Sequence, residues 1–223
     1  MKRSEVNALL SEAVALCGRH AVVLPPWAAF RPVDWAERPD QAAFCAARQI
    51  GWDITDFGGG DFPRRGLVLL CLRNGIAGRT DERSYAEKLL VVHEDQETPW
   101  HFHKEKMEDI IVRGGGTLVI ELVNTDAKGT ALDTPVRAYI DAEQREVPAR
   151  TPIRLLPGQS ITLPRRLAHR FYGEHGSGTV LVGEVSQVND DLTDNYFLSP
   201  VARFASIEED VPPLYPLWSE VGG

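Results

Sequence analysis

From about Gly51 onward the chain falls into short segments of strand length, punctuated by Gly, Pro and Asn, with no helix-length periodic stretch between them. The segments are 67–73, 85–92, 100–103, 106–113, 117–123, 136–140, 152–155, 160–163, 169–172 and 179–185. Many short strands without crossover helices can bury their apolar faces only against one another, which predicts an antiparallel sandwich or barrel. The first fifty residues differ. Val6, Leu9, Leu10, Ala13, Val14 and Cys17 recur at helical steps, with Gly18 as a stop. Pro25-Pro26-Trp27 and Arg31-Pro32 impose an extended path, and a second helix is expected over 41–49. The expected organisation is one structural domain, with residues 1–50 as a helical extension packed on a barrel of residues 51–223.

Composition removes several classes. The chain has 223 residues and a net charge of −8, the wrong sign for holding a nucleic-acid backbone. Its longest apolar run, 67–72, is far short of the roughly 20 residues a membrane helix needs. Glu5 and Glu12 interrupt the apolar N-terminal stretch, so it reads as an amphipathic helix and not as a signal peptide. Cys17, Cys45 and Cys71 are odd in number and widely spaced, which implies neither a disulfide framework nor a zinc knuckle and makes the cytoplasm the default compartment. The glycine-rich stretches 53–61 and 114–116 lack the strand-then-helix context of a phosphate loop.

The chemistry is concentrated in Pro99-Trp100-His101-Phe102-His103-Lys104-Glu105-Lys106-Met107-Glu108-Asp109. Residues two apart share a face of a strand, so His101 and His103 point one way and Phe102 the other. Lys104-Glu105 is polar enough to bend the chain. On the returning strand Lys106, Glu108 and Ile110 share one face, and Met107 and Asp109 the other. Folding one face onto the other gathers two imidazoles, a carboxylate and an ammonium, most of a site for a divalent ion. His169, ending the Gly/Pro-punctuated segment 158–169, is the best remote fourth ligand, and His175 in a Gly-rich turn is its rival.

These same residues carry a resemblance. His101, His103, Glu108 and Gly115 match the first cupin motif, with Asp95 where its leading Gly falls. Gly158, Pro164 and His169 match the second, with Arg166 in place of the internal Gly and Gly173 in place of the Asn. Further phrases, among them PPWAAFRPVDW, GWDITDFGGGDF, HFHKEKMEDIIVRGGGTLVIEL, PGQSITLPRRLAHRFYGE and VLVGEVSQVNDDLTDNYFL, resemble the bacterial D-lyxose isomerase family over nearly the whole chain. The resemblance implies a mainly β cupin (jelly-roll) barrel with an N-terminal helical extension. It also implies a homodimer, a divalent metal (manganese, with cobalt or iron as alternatives) and a small-molecule sugar substrate. D-lyxose would interconvert with D-xylulose, and D-mannose with D-fructose.

Aldose–ketose isomerisation moves a proton between C1 and C2, so it needs a Lewis acid for the two oxygens and a carboxylate for the proton. A site of three His and one Glu leaves two positions for a bidentate sugar, and serves oxygen chemistry equally well. Val180, Val182 and Glu184 share a strand face, which makes Glu184 either a costly interior carboxylate or a strand-end group reaching solvent. The resemblance tilts this towards a proton shuttle, with Glu108 assisting. Lys106, on the face of Glu108, is a candidate for a sugar hydroxyl or developing oxyanion, against the alternative of a snorkelling surface Lys. The polar loop Asn189-Asp190-Asp191 and Asp194-Asn195 follows, with Asp190, Asp194 and, further on, Arg203 as candidate substrate binders. The competing functions are a cupin dioxygenase or decarboxylase, a non-catalytic sugar-binding cupin, and a phosphosugar isomerase using Arg165-Arg166.

Overall fold

The computed structural model describes residues 1–202 and 205–221. Helices α1 (Arg3–Arg19), α2 (Pro32–Ala36) and α3 (Pro39–Ala46) precede the strands. Strands β1 (Gly51–Thr55), β2 (Leu67–Arg73), β3 (Tyr85–Val92), β4 (Glu97–Phe102), β5 (Glu108–Gly115), β6 (Leu118–Thr125) and β7 (Ala131–Leu132) follow. They continue as β8 (Val136–Ile140), β9 (Glu143–Val147), β10 (Ile153–Leu155), β11 (Ser160–Leu163), β12 (Ala168–Gly173), β13 (Val180–Gln187) and β14 (Tyr196–Phe197). The larger sheet runs β1-β2-β3-β13-β5-β11-β8-β9, and the smaller β10-β6-β12-β4-β14 with β7 on β6. Neighbouring strands in both sheets are antiparallel. The mainly β, jelly-roll-type architecture with N-terminal helices is therefore the one the strand pattern and the resemblance lead to.

Two apolar layers explain the arrangement. Between the sheets, Leu69, Leu90, Ile110 and Val182 meet Ile120, Leu122 and Phe171. On the outer face of the larger sheet, Val68, Leu70, Leu89, Val91 and Leu181 are covered by Val6, Leu10, Ala13, Leu16 and Cys17 of α1. Strands β2 and β3 are thus buried on both faces, which is why they read as continuous apolar runs. Each fully buried Leu-sized side chain contributes about 1.5–3 kcal/mol relative to exposure, so the helix is a structural layer of the sheet.

Several boundaries differ from the sequence expectation. The second helix is α3, Pro39–Ala46 and not 41–49, because Pro39 at the first helical position starts it early and the chain turns away at Gln49 with φ +53°. Pro32 begins α2 in the same way where an extended path was expected, and Arg31 N–H donates to the Asp34 carboxylate (2.8 Å). Helix α1 runs past Gly18 to Arg19. Strand β1 occupies the start of the stretch read as a loop, since its polar Asp53 and Thr55 are buried and hide its strand character. Strand β9, EQREV, is polar throughout and carries no alternation to read.

The departures from the cupin motifs keep the backbone those motifs need. Asp95 and Arg166 replace glycines yet hold left-handed φ of +57° and +66°. Arg166 N–H donates to the carbonyl of His103 (2.7 Å), and Asp95 N–H to that of Gly173 (2.9 Å). The two motifs are therefore stitched together at these positions. A Cβ on Gly173 would lie 2.3 Å from the His93 carbonyl oxygen, so this position admits only Gly.

Arg166 is exposed, and its strain is local. Arg166→Gly should leave stability equal to or above that of the parent, whereas Arg166→Val should lower it, because a β-branched side chain tolerates the left-handed region less well than the unbranched Arg. Urea denaturation of the two variants checks this.

Candidate metal centre

Strands β4 and β12 are neighbours, and their register sets His101 opposite His169. His103 follows the end of β4, and Glu108 opens β5. The ligand atoms of His101, His103 and His169 all lie within 4.8 Å of one another, and the three residues are buried. Each Nδ1–H donates to a backbone carbonyl: His101 to Pro99 (2.8 Å), His103 to Asp194 (2.7 Å) and His169 to Leu167 (3.0 Å). Carbonyls only accept, so these bonds assign the proton to Nδ1 and leave the Nε2 lone pairs free for a metal. Burial, followed by the neighbouring His169 and His103, holds His101 well below the usual imidazole range and keeps it neutral.

Glu108 completes the donor set. Its Oε1 lies 3.2 Å from His169 Nε2 and 3.5 Å from His103 Nε2. His169 Nε2 is buried with no hydrogen-bond partner, so a lone pair and a carboxylate oxygen face each other. A cation held between two such acceptors relieves that contact. Three imidazole nitrogens and a carboxylate oxygen form a donor set that fits a divalent transition ion. Burial alone would push Glu108 up, but the Lys106 ammonium beside it holds it well below the carboxylate range.

Beside the histidines lies a buried charge cluster. Lys106 Nζ donates to Glu108 Oε2 (2.8 Å), Glu184 Oε1 (2.8 Å) and Asn189 Oδ1 (3.0 Å). Lys88 Nζ donates to the same Asn189 oxygen (2.6 Å) and lies 3.6 Å from both Glu184 Oε1 and Asp191 Oδ1. Burial opposes the charge on Lys106, yet Glu108, Glu184 and Asp191 together raise its pKa. In this cluster two ammonium groups face three carboxylates, so a divalent cation is electrostatically accommodated.

The sequence-predicted residues divide clearly. His101, His103, Glu108, His169, Lys106 and Glu184 come together, and all but His169 line one cavity. Phe102 and Met107 face away, Phe102 against Tyr196 and Met107 towards solvent. Asp190 and Asp194 do not line this cavity. The Asp190 carboxylate accepts from Thr193 Oγ1 (2.5 Å), Leu192 N–H (3.0 Å) and Gln49 Nε2 (3.2 Å) and so caps its own turn. Asp194 accepts the N–H groups of Lys104 (2.8 Å), Glu105 (3.1 Å) and Lys106 (3.1 Å), which shapes the bend between the two histidines and Glu108. Their neighbours Asp191 and Asn195 line the cavity instead. Arg203 falls outside the described residues, and His175 is exposed beside Asp95, apart from the centre. Lys88 was the residue most readable but missed: Ala86, Lys88, Leu90 and Val92 share one otherwise apolar strand face.

Comparison with known proteins agrees with this geometry. The family model for D-lyxose isomerase matches residues 1–221. The chain is 46% identical to the D-lyxose/D-mannose isomerase of Serratia proteamaculans, over 99% of this chain and 97% of that protein. It is 45% identical to the D-lyxose/D-mannose isomerase of Escherichia coli O157:H7, over 99% and 98%. The L-ribose isomerase of Cellulomonas parahominis, solved with L-ribose, superposes with a TM-score of 0.63 over 93% of this chain and 98% of that one. Identity to it is 18%, so that likeness speaks for the fold alone. Matched from end to end by the family model and by relatives at such identity, the chain belongs to the D-lyxose isomerase family and is a sugar isomerase.

Proposed function

We propose that this enzyme interconverts D-lyxose with D-xylulose, and D-mannose with D-fructose, by moving a proton between C1 and C2 through an enediolate. A divalent ion, manganese in the first instance, would be held by His101, His103, Glu108 and His169. When bound, the ion supplies Lewis-acid polarisation of the oxygens on the two reacting carbons. The relatives' printed activities on D-lyxose and D-mannose support the choice of sugars. In this reading the enzyme works as a homodimer in the cytoplasm.

One observation carries the mechanism. Glu184, buried on the strand face it shares with Val180 and Val182, presents Oε1 2.8 Å from Lys106 Nζ in the cavity that His101 and His103 also line. A carboxylate in this position is the kind of group that accepts a proton from a sugar carbon. The second hydrogen bond of Lys106, to Glu108, fixes the spacing between base and metal ligand. As negative charge develops on the enediolate oxygens, the Lys106 ammonium is positioned to stabilise it. Lys88 Nζ lies 3.6 Å from the same Glu184 oxygen, and Leu69, Leu90 and Phe171 line the same cavity. A sugar-binding module would need no such interior carboxylate.

Metal and fold should be linked. Chelator-stripped protein given Mn2+ at about 100 times its Kd should gain about 2.7 kcal/mol of stability, read as a rise in Tm. His101→Gln and His169→Gln should show no rise, bind no metal and have no activity, while their circular dichroism stays that of the parent.

Glu184→Gln keeps the shape of the side chain and removes the base. Metal content and KM should stay near those of the parent, and kcat should fall by about 10²–10⁴. In deuterated solvent the parent should place label at C1 or C2. Full activity in Glu184→Gln without label would point to a hydride shift and sink the assignment.

A further inference from the structure

A bulge in β4 turns a further residue into the cavity. Along the β4–β12 pair, Glu97 faces Tyr172, Thr98 faces Phe171 and His101 faces His169. Three steps on β4 thus correspond to two on β12, and Pro99 and Trp100 together oppose Arg170. A bulge of this kind is a site where a strand tolerates Pro, which has no N–H to place in the ladder. The extra residue reverses the alternation. Strict alternation would put Thr98 on the face opposite His101, with Trp100 and Phe102. Instead Thr98 and His101 both line the cavity, while Trp100 and Phe102 pack on the outside.

Thr98 is 3% exposed, and its Oγ1 is buried with no hydrogen-bond partner. An orphan hydroxyl in a protein interior costs stability, and Val would fill the same volume without that cost. The lining around it mixes two kinds of group. Lys88, Lys106, Glu108, Glu184 and Asp191 form the ion-pair cluster, and Phe57, Leu67, Leu69, Phe171 and Phe197 supply apolar surface. Besides Thr98, the hydroxyl in this lining is that of Thr55, which already accepts the Phe57 N–H (2.9 Å). A polyhydroxylated chain that fills this cavity brings hydroxyls beyond its reacting end against a lining with few uncharged polar groups. There each one needs a partner or loses its hydrogen bond to water.

We propose that Thr98 is a specificity-determining residue whose hydroxyl binds a sugar hydroxyl beyond the reacting C1–C2 pair. This rests on the isomerase reading above and adds a contact which that reading does not require. The geometry makes the residue a selector for chains hydroxylated at that position, because a deoxygenated chain leaves Thr98 unpaired in the complex.

The test compares Thr98→Val with Thr98→Ser, both metal-loaded, on D-lyxose, D-mannose and D-lyxose analogues lacking the C4 or C5 hydroxyl. In Thr98→Val, kcat/KM for the intact sugars should fall about 10–100-fold, the loss expected from leaving one buried hydroxyl unpaired. Thr98→Ser should stay within about threefold of the parent. The parent should lose a similar factor on one of the deoxy analogues, and Thr98→Val should lose nothing further on that analogue, since both changes delete the same hydrogen bond. The Tm of free Thr98→Val should equal or exceed that of the parent, which separates a lost contact from a damaged fold. If Thr98→Val does not fold, Thr98→Ser against Thr98→Ala carries the same comparison. Unchanged kcat/KM in Thr98→Val, or an equal loss in Thr98→Ser, overturns the role of Thr98 while the parent's isomerase activity stands. A parent that converts none of these sugars overturns both readings.

Discussion

The Lys106 ammonium, buried between the carboxylates of Glu108 and Glu184 at 2.8 Å from each, is the interaction on which the site depends. A charge removed from water at this depth is tolerable only with close opposite charges and satisfied hydrogen bonds, and breaking such a pair is far more costly than never forming it. The contact therefore holds one carboxylate at the histidines and the other a fixed step away. Lys88 extends the same balance through Asn189, whose oxygen receives both ammonium groups. Glu184 and Lys88 face each other across the β3–β13 pair, so this electrostatic arrangement is built into the ladder itself.

Rigid backbone supports carry the precision. Asp194 collects three consecutive N–H groups with its carboxylate and takes the His103 Nδ1–H on its own carbonyl. One residue thereby aims His103 and shapes the bend that returns the chain to Glu108. Arg166 performs a related task from the other motif, with its N–H on the His103 carbonyl. The left-handed backbone at Asp95 and Arg166 is strain that the surrounding hydrogen bonds over-determine, as is common where a site is held in one geometry. Family membership fixes the class of reaction. The arrangement of Lys106, Lys88 and Asn189 around Glu184 explains how this chain can keep that carboxylate in its interior.

Much of this was open to reading from the residues alone. Period-two spacing in His101-Phe102-His103 and Lys106-Met107-Glu108 sets the ligand face, because side-chain alternation in a strand is a local property of the backbone. Val180, Val182 and Glu184 share a face by the same rule, which leaves the carboxylate either interior or at a solvent-reaching strand end until the packing buries it, and the strand-length segments without crossover helices imply antiparallel sheets. Tertiary structure decided what alternation cannot see. The bulge at Pro99-Trp100 reverses the phase and brings Thr98 inside, because it arises from pairing with β12 and not from β4 itself. In the loop after β13, sequence shows only a run of acceptors. Long-range partners divide them, so that Asp190 caps a turn, Asp194 anchors three amides, and Asp191 and Asn195 face the cavity. Local periodicity specifies which face a side chain takes, but what that face meets depends on strands and loops distant in sequence.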